Sequence, residues 1–483
     1  MLLLVWFAFT TGIASAQDDA SSQPREDCSG LSFPYTLTGD SPAELINAIE
    51  CANANGTADV IDLNGQTIVL TEAYADYDGA TGLPEVTTEI TIQNGTIERL
   101  FSENEFRLLA VDEVGRLTTN GVTLRRGCMC GYSYEVFYNG GAIYNAGFLH
   151  LFNSNLGPNV AETYGGAVYN TGTLIIGRVT LSNNRAARGG AIYNVGSLTV
   201  VNSAIIDNNA SRGAGIYNFG QMTVTAARLA ANYATNAGGA IYNIGPDEVS
   251  ITDTEFTDNP GPAEGGAISN WSTSTLTVTG STFTRNGLAH FHGTLTVIDS
   301  AIYSGGFGIV AYAPVTVVGS TIAGNTLGFY HGWGAATIAN SAITGNGFGV
   351  GSEFGTLHIV NSTIAGNDGT TYGGIYIRES AVTLDNSIVY GNEADSDSSV
   401  PQITGAYTAN NSLIGVDPLF VAPELAASAP TTAGDYRLLA GSPAIDAGDK
   451  HSSQPALQQI STATRGSLAA RSTSARTRLH CAR

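Results

Sequence analysis

The chain has 483 residues, of which 43% are hydrophobic and only 13% charged, with 59 Gly and a formal net charge of −21. Ample Val, Ile, Leu, Ala and Tyr with so little charge excludes wholesale disorder, because such a chain can bury enough apolar surface to offset its ordering entropy. The acidic balance argues against nucleic acid and anionic membranes as partners.

In chain order, residues 2–14 are mostly apolar and Ala14-Ser15-Ala16 has the small-x-small form of a signal-peptidase site. Residues 1–16 therefore read as a cleaved secretory signal. No later stretch is long and apolar enough to span a bilayer. Residues 17–84 read as an N-terminal cap. In an exported protein its Cys28 and Cys51 are candidates for a disulfide. Cys128 and Cys130 stand too close for an ordinary loop-closing bridge, so they are expected to pair elsewhere or stay buried and free, with packing preferred to metal binding.

From residue 140 a hexapeptide repeats. Gly140-Gly141-Ala142-Ile143-Tyr144-Asn145 returns at Gly165 to Asn170, Gly189 to Asn194, Gly213 to Asn218 and Gly238 to Asn243, and closes at Gly265 to Asn270, with the Asn residues 25, 24, 24, 25 and 27 positions apart. Between copies lie short β-branched runs ending in Asn, Gly or Ser, such as Leu198 to Ser203 and Ala204 to Asn209, which is a strand-then-turn signature. Past residue 275 the period continues as Ser320 to Asn325, Ser341 to Asn346, Ser362 to Asn367 and Ser387 to Asn392. Three short strands and three turns per period make one coil. The expected fold is all-β: a right-handed parallel β-helix over residues 85–420, a C-terminal cap at 421–449, and a disordered or frame-altered basic tail at 450–483. That tail holds six of the 20 basic residues and no acid, which leaves the rest at a net −27.

Strand alternation places Ile143 and Asn145 on the inner face and Tyr144 on the outer one. The inward Asn residues are expected to stack as a ladder of amides bonded along the axis and to turn carbonyls. The outward Tyr144, Tyr169, Tyr193, Tyr217 and Tyr242 form a column. It reads either as packing that shields the sheet or as a platform on which sugar rings stack, and these five are the candidate ligand-binding residues.

The GGAI and GGAV tetrapeptides, with Phe256-Thr257-Asp258-Asn259 and Phe283-Thr284-Arg285-Asn286, resemble the GGAI and FxxN repeats of polymorphic outer membrane proteins. Glu44 to Asn55 running into Val60-Ile61-Asp62-Leu63 looks like the helix-then-strand cap of many bacterial surface β-helix proteins. Val416 to Phe420, Tyr436-Arg437-Leu438 and Ser442 to Gly448 are similar to the end of choice-of-anchor Q proteins. The resemblance covers most of residues 40–449. It implies a pectin-lyase-like fold with a short helix in the N-terminal cap, and a secreted or cell-surface location. It implies no reaction.

No catalytic set emerges. Lyases of this fold resemble one another in using an Arg or Lys base beside Ca²⁺-binding Asp residues, yet Lys450 is the only lysine. Arg125, Arg126, Arg185, Arg188, Arg212, Arg285 and Arg378 fall mostly in turns, Arg185 and Arg212 about one coil apart. The nearest carboxylate pair, Asp253 with Glu255, reads as a solvated edge rather than the paired acids of a glycosidase. His290 and His292 would share a strand face and suit a metal, but no third ligand is evident. The acidic loops Asp76 to Gly79 and Glu393 to Asp397 could take up weak Ca²⁺, and no other cofactor is implied. The expectation is a non-catalytic secreted or cell-surface rod for adhesion or carbohydrate contact, its partners glycans or a host or cell surface. The alternative is a polysaccharide lyase or glycoside hydrolase with an unrecognised site.

Overall fold

The computed structural model describes residues 28–449, apart from 77–78, 102–103, 132–138, 263–265, 396, 398 and 400. The expected signal sequence and basic tail lie outside the described residues. What is described is an all-β, right-handed parallel solenoid of about 15 turns with one short helix near its N-terminus. The glycine-led strands, such as Ile143–Asn145, form a 13-stranded parallel first face. Five-residue strands such as Phe148–Phe152 form the second face, and short strands such as Ala204–Ile206 form the third. At the usual strand spacing the first face is about 60 Å long.

The helix Pro42–Asn55 opens the array. Proline pre-sets its first turn, Gly56 ends it at φ 69°, and Leu45, Ala48, Ile49 and Ala52 are buried on one side. Cys28 and Cys51 are joined by a disulfide that ties the preceding turn to this helix. Parallel pairing starts earlier than residue 85: Asp59–Asp62 already lies against Glu89–Arg99, so the first rung falls inside the expected cap. Cys128 and Cys130 are bonded to each other rather than to other cysteines.

Successive copies of the hexapeptide are in register, Ile143 on Val168 on Ile192 on Ile216 on Ile241. The Ile side chains are fully buried and so are the Asn side chains two positions on. Asn145, Asn170, Asn194, Asn218 and Asn243 each donate Nδ2 to the Oδ1 of the next coil's Asn at 2.6–2.8 Å. Asn194 Nδ2 also reaches the carbonyls of Gly196 and Gln221 at 3.1 and 3.2 Å. The expected ladder is therefore present, and two more run beside it. Ser203, Ser281, Ser300, Ser320, Ser341 and Ser362 accept the backbone N–H of the coil before, between the second and third faces. Asn184, Asn208, Asn232 and Asn259 line the corner between the third and first faces. The hexapeptide glycines serve the same corner: Gly189 sits at φ 65°, and a Cβ on Gly190 would meet the Ala214 carbonyl oxygen at 2.4 Å.

The first-face ladder ends on a histidine. His290 stands in register with Asn270 and is fully buried, its Nδ1 2.9 Å from Asn270 Nδ2. An amide nitrogen can only donate, so this Nδ1 accepts and the ring must be neutral. Burial pushes the imidazole down from 6.5 to about 4. His292 lies outside beside Trp271, because the strand ends at His290, so the two imidazoles do not share a face. A depressed histidine favours the fold above pH 6.5 and loses that contribution as pH falls towards 4. Unfolding in urea across this window should show roughly 3 kcal/mol of acid-dependent loss from the 6.5-to-4 shift. His290→Asn, which extends the amide ladder, should flatten that part of the profile, and an unchanged profile would refute the assignment.

Candidate functional site

The five tyrosines of the hexapeptide are in register and their rings stack. Centroids are 5.5 Å apart for Tyr144–Tyr169 and for Tyr169–Tyr193, 4.8 Å for Tyr193–Tyr217 and 5.1 Å for Tyr217–Tyr242. Two findings correct the open-platform reading. The ring faces are turned onto one another along the axis, so the outer surface presents ring edges. Tyr217 and Tyr242 are buried, at 4% and 9% exposure, against Ala237, with Tyr193, Ile244 and Trp271 packed around them.

What covers the tyrosines comes from the residue before each hexapeptide. Tyr164, Arg188 and Arg212 are bridged to one another in successive coils. Tyr164 stacks on Tyr193 at 4.5 Å. The Arg188 guanidinium lies 5.6 Å from the Tyr164 ring and 5.9 Å from Tyr217, and donates to Tyr164 Oη at 3.3 Å. Arg212 lies 5.7 Å from the Tyr242 ring. The stacked pair is thus Arg188 with Arg212, not Arg185 with Arg212, since Arg185 pairs with Asn209. Among the described residues neither Arg188 nor Arg212 has a carboxylate partner. In a chain of net −21 this corner gathers two guanidiniums that no carboxylate among the described residues pairs. Burial pushes the Tyr193 phenol up to about 12 and raises Tyr217 as well. Both stay protonated at neutral pH and can donate hydrogen bonds. The arrangement offers two guanidinium forks, phenol donors and an aromatic wall, which together fit a carboxylate or sulfate on a ring-shaped partner.

A second feature lies between the second and third faces. Arg178, Asn202, Ala226 and Asp253 occupy one corner column in successive coils, all at φ 48–57°. With Arg228 and Glu255 they line a shallow trough of about 640 Å³. Asp253 is a corner residue and Glu255 begins the next strand, so they do not share one strand face. Arg228 Nε stands 3.7 Å from Glu255 Oε1. Sequence reasoning passed over Arg178 and Arg228. Elsewhere His358 Nε2 lies 2.6 Å from Asp385 Oδ2, whose other oxygen accepts from Asn410.

Among the described residues the acidic loops gather no metal set. Asp76 Oδ1 accepts the Gly79 N–H, and residues 77, 78 and 396 lie outside the described residues. Among the described residues Glu105, Cys128 and Cys130 are the one trio of potential ligands brought together, and both sulfurs are committed to the disulfide. No helix among the described residues is long and apolar enough to cross a membrane.

No family model and no curated protein matches the chain. Solved structures similar to it include the A-modules of Azotobacter vinelandii mannuronan C-5 epimerases AlgE6 and AlgE4. The first is 13% identical, covering 80% of this chain and all of that one, at a TM-score of 0.35. The second is 14% identical, covering 79% and 98%, at 0.31. Pectate lyase Pel9A is 13% identical, covering 88% and 94%, at 0.30. Similarity this distant carries no functional argument, so function has to be argued from the site.

The buried phenols set an alkaline limit. Stability owed to Tyr193 is complete below pH 10 and is lost as pH climbs towards 12. Tyr193→Phe should remove one late step from the ultraviolet phenolate titration. A titration of the variant superimposable on the parent's in the late range would show that Tyr193 is not the perturbed group.

Proposed function

We propose that this protein is an exported, non-catalytic β-helix rod whose Tyr164–Arg188–Arg212 corner holds the acidic groups of a glycan. The observation that carries the reading is the pair of guanidiniums on adjacent rungs, set against stacked tyrosines and, among the described residues, not paired with carboxylates. An unpaired Arg is costly in a protein interior but useful where a ligand completes it, because the planar fork matches carboxylate and sulfate oxygens. The tyrosines fix the guanidinium planes and exclude water from one side. Export is supported by the N-terminal signal pattern, the two disulfides and the resemblance to surface-displayed repeat proteins. A cell-surface or extracellular location follows from the same features.

Retention on immobilised uronate and sulfated polysaccharides tests the reading. Arg188→Gln with Arg212→Gln should reduce retention about tenfold or more; both residues are half-buried over the tyrosines, so circular dichroism of the double variant should confirm that the fold is retained. Full retention by the double variant would overturn it.

The trough between Arg178 and Asp253 supports a second reading, a polysaccharide lyase or glycoside hydrolase, since it brings Arg and carboxylates together. Its shallowness weighs against that, because glycosidic chemistry needs two carboxylates flanking one bond. A polysaccharide panel incubated with Ca²⁺ should yield neither unsaturated nor new reducing-end products. Either product, lost on Arg228→Gln, would establish the enzyme.

A further inference from the structure

The residue after each first-face ladder position forms a column of its own. It reads Val195, Phe219, Ile244, Trp271, Phe291 and Tyr312, and continues one position on through Trp333 and Phe354. Trp271 and Phe291 stack with centroids 4.0 Å apart, Phe291 and Tyr312 at 5.6 Å, and Trp333 and Phe354 at 5.7 Å. Val195, Phe219, Trp333 and Phe354 are 38, 44, 53 and 36% exposed. Isolated surface apolars need no explanation, whereas an unbroken line over eight rungs does. At one rung per 4.8 Å the line runs about 35 Å along the axis. Its start adjoins the tyrosine–arginine corner, since Ile244 and Trp271 pack on Tyr217 and Tyr242. Its far end is polar: the Arg378 guanidinium lies 5.4 Å from the Phe354 ring and 3.9 Å from Glu353.

We propose that this line is a track for a glycan chain lying parallel to the solenoid axis, anchored by its acidic groups at Arg188 and Arg212 and held at its far end by Trp333, Phe354, Glu353 and Arg378. The proposal rests on the reading of the corner as an acidic-glycan site. Three observations select a glycan chain as the occupant. The line is one ring wide, too narrow for the roughly 800 Å² per partner that a stable protein interface buries. The chain's net −21 repels an anionic bilayer. Rings on six of the eight rungs, beside phenol, carboxylate and guanidinium groups, offer apolar contact for sugar C–H faces and hydrogen bonds for hydroxyls along the length of a polymer.

Calorimetric titration of the full chain with size-fractionated oligouronates and sulfated oligosaccharides tests this. Affinity should rise with fragment length until a fragment reaches from Arg188 to Trp333, then level off. Trp333→Ala with Phe354→Ala removes exposed rings only, so the fold should survive. It should weaken long fragments about tenfold, to the level of short ones, and leave short ones unchanged. Tryptophan emission gives a second readout, since Trp271 and Trp333 are two of the chain's three tryptophans. It should shift on adding long fragments, and Trp333→Ala should cancel most of that shift. Binding independent of length, or long fragments held equally by the double variant, overturns the track while leaving the corner intact. No binding at any length overturns both.

Discussion

Each coil of this protein must turn three times, and each turn traps backbone N–H and C=O groups between neighbouring coils where water cannot reach them. Leaving such groups unpaired costs about 1–3 kcal/mol each, and with some 15 turns the sum would exceed the stability of any domain. The inward Asn and Ser columns meet this constraint. Each side chain serves its own turn and the next coil's, as Asn194 does by reaching Asn218, Gly196 and Gln221 at once. A one-residue slip would bring an outward tyrosine into the Asn position and break the column. Register is thus fixed by polar groups, and the aromatic stacks outside follow from it.

This explains which parts were legible in the sequence. The Asn at the end of each hexapeptide is satisfied by a polar group at the same position one coil away, an Asn in five of six cases, so its spacing gives the period and its phase gives the inner face. Ile143 in, Tyr144 out and Asn145 in could all be read from that. The covering of Tyr217 and Tyr242 could not, because it depends on the third-to-first turn, which varies in length and sequence. A signal was nonetheless present: Tyr164, Arg188 and Arg212 each directly precede a hexapeptide, so they share its register, whereas Arg185 belongs with Asn209. The Trp271 to Phe354 line escaped because its column changes residue at every rung, so it shows no repeat. His290 misled for a related reason. Two histidines at i and i+2 share a face only while the strand continues, and this strand ends on the first.

The corners tolerate left-handed backbone differently along the rod. Before the third-to-first ladder the N-terminal coils place Asn183, Asp207, Ala231, Asp258 and Arg285 at positive φ, whereas the C-terminal ones place Gly324, Gly345, Gly366 and Gly391 there. The change coincides with the C-terminal segment. Phe420–Ala422 and Asp435–Leu438 pair as a hairpin that folds back along this flank, burying Phe420 against Ala365 and Ile388. The Thr431 N–H donates to the Gly345 carbonyl at 2.7 Å, and a Cβ on Gly345 would meet the Thr431 oxygen at 2.2 Å. Glycine is there because the strap comes so close, and the segment expected as an end cap lies along the side instead.

Near-identical coils give a ligand no reason to prefer one rung over another. Position along such a rod has to be encoded where the repeat is broken. The breaks here are few: two arginines ahead of otherwise equivalent hexapeptides, the histidine ending an amide column, and the aromatic line that begins in earnest where tyrosine gives way to Ser269. The strap occupies the third-to-first corner in the C-terminal half. The arginine pair precedes the first face at that same corner but in the N-terminal coils, and the aromatic line follows the first face where the chain turns into the second. Charge sharpens the contrast, since a guanidinium pair in so acidic a chain draws anions to one place while the remaining surface repels them. A repeat that buries its polar groups identically in every coil thereby leaves its exceptions as the only addresses on the surface.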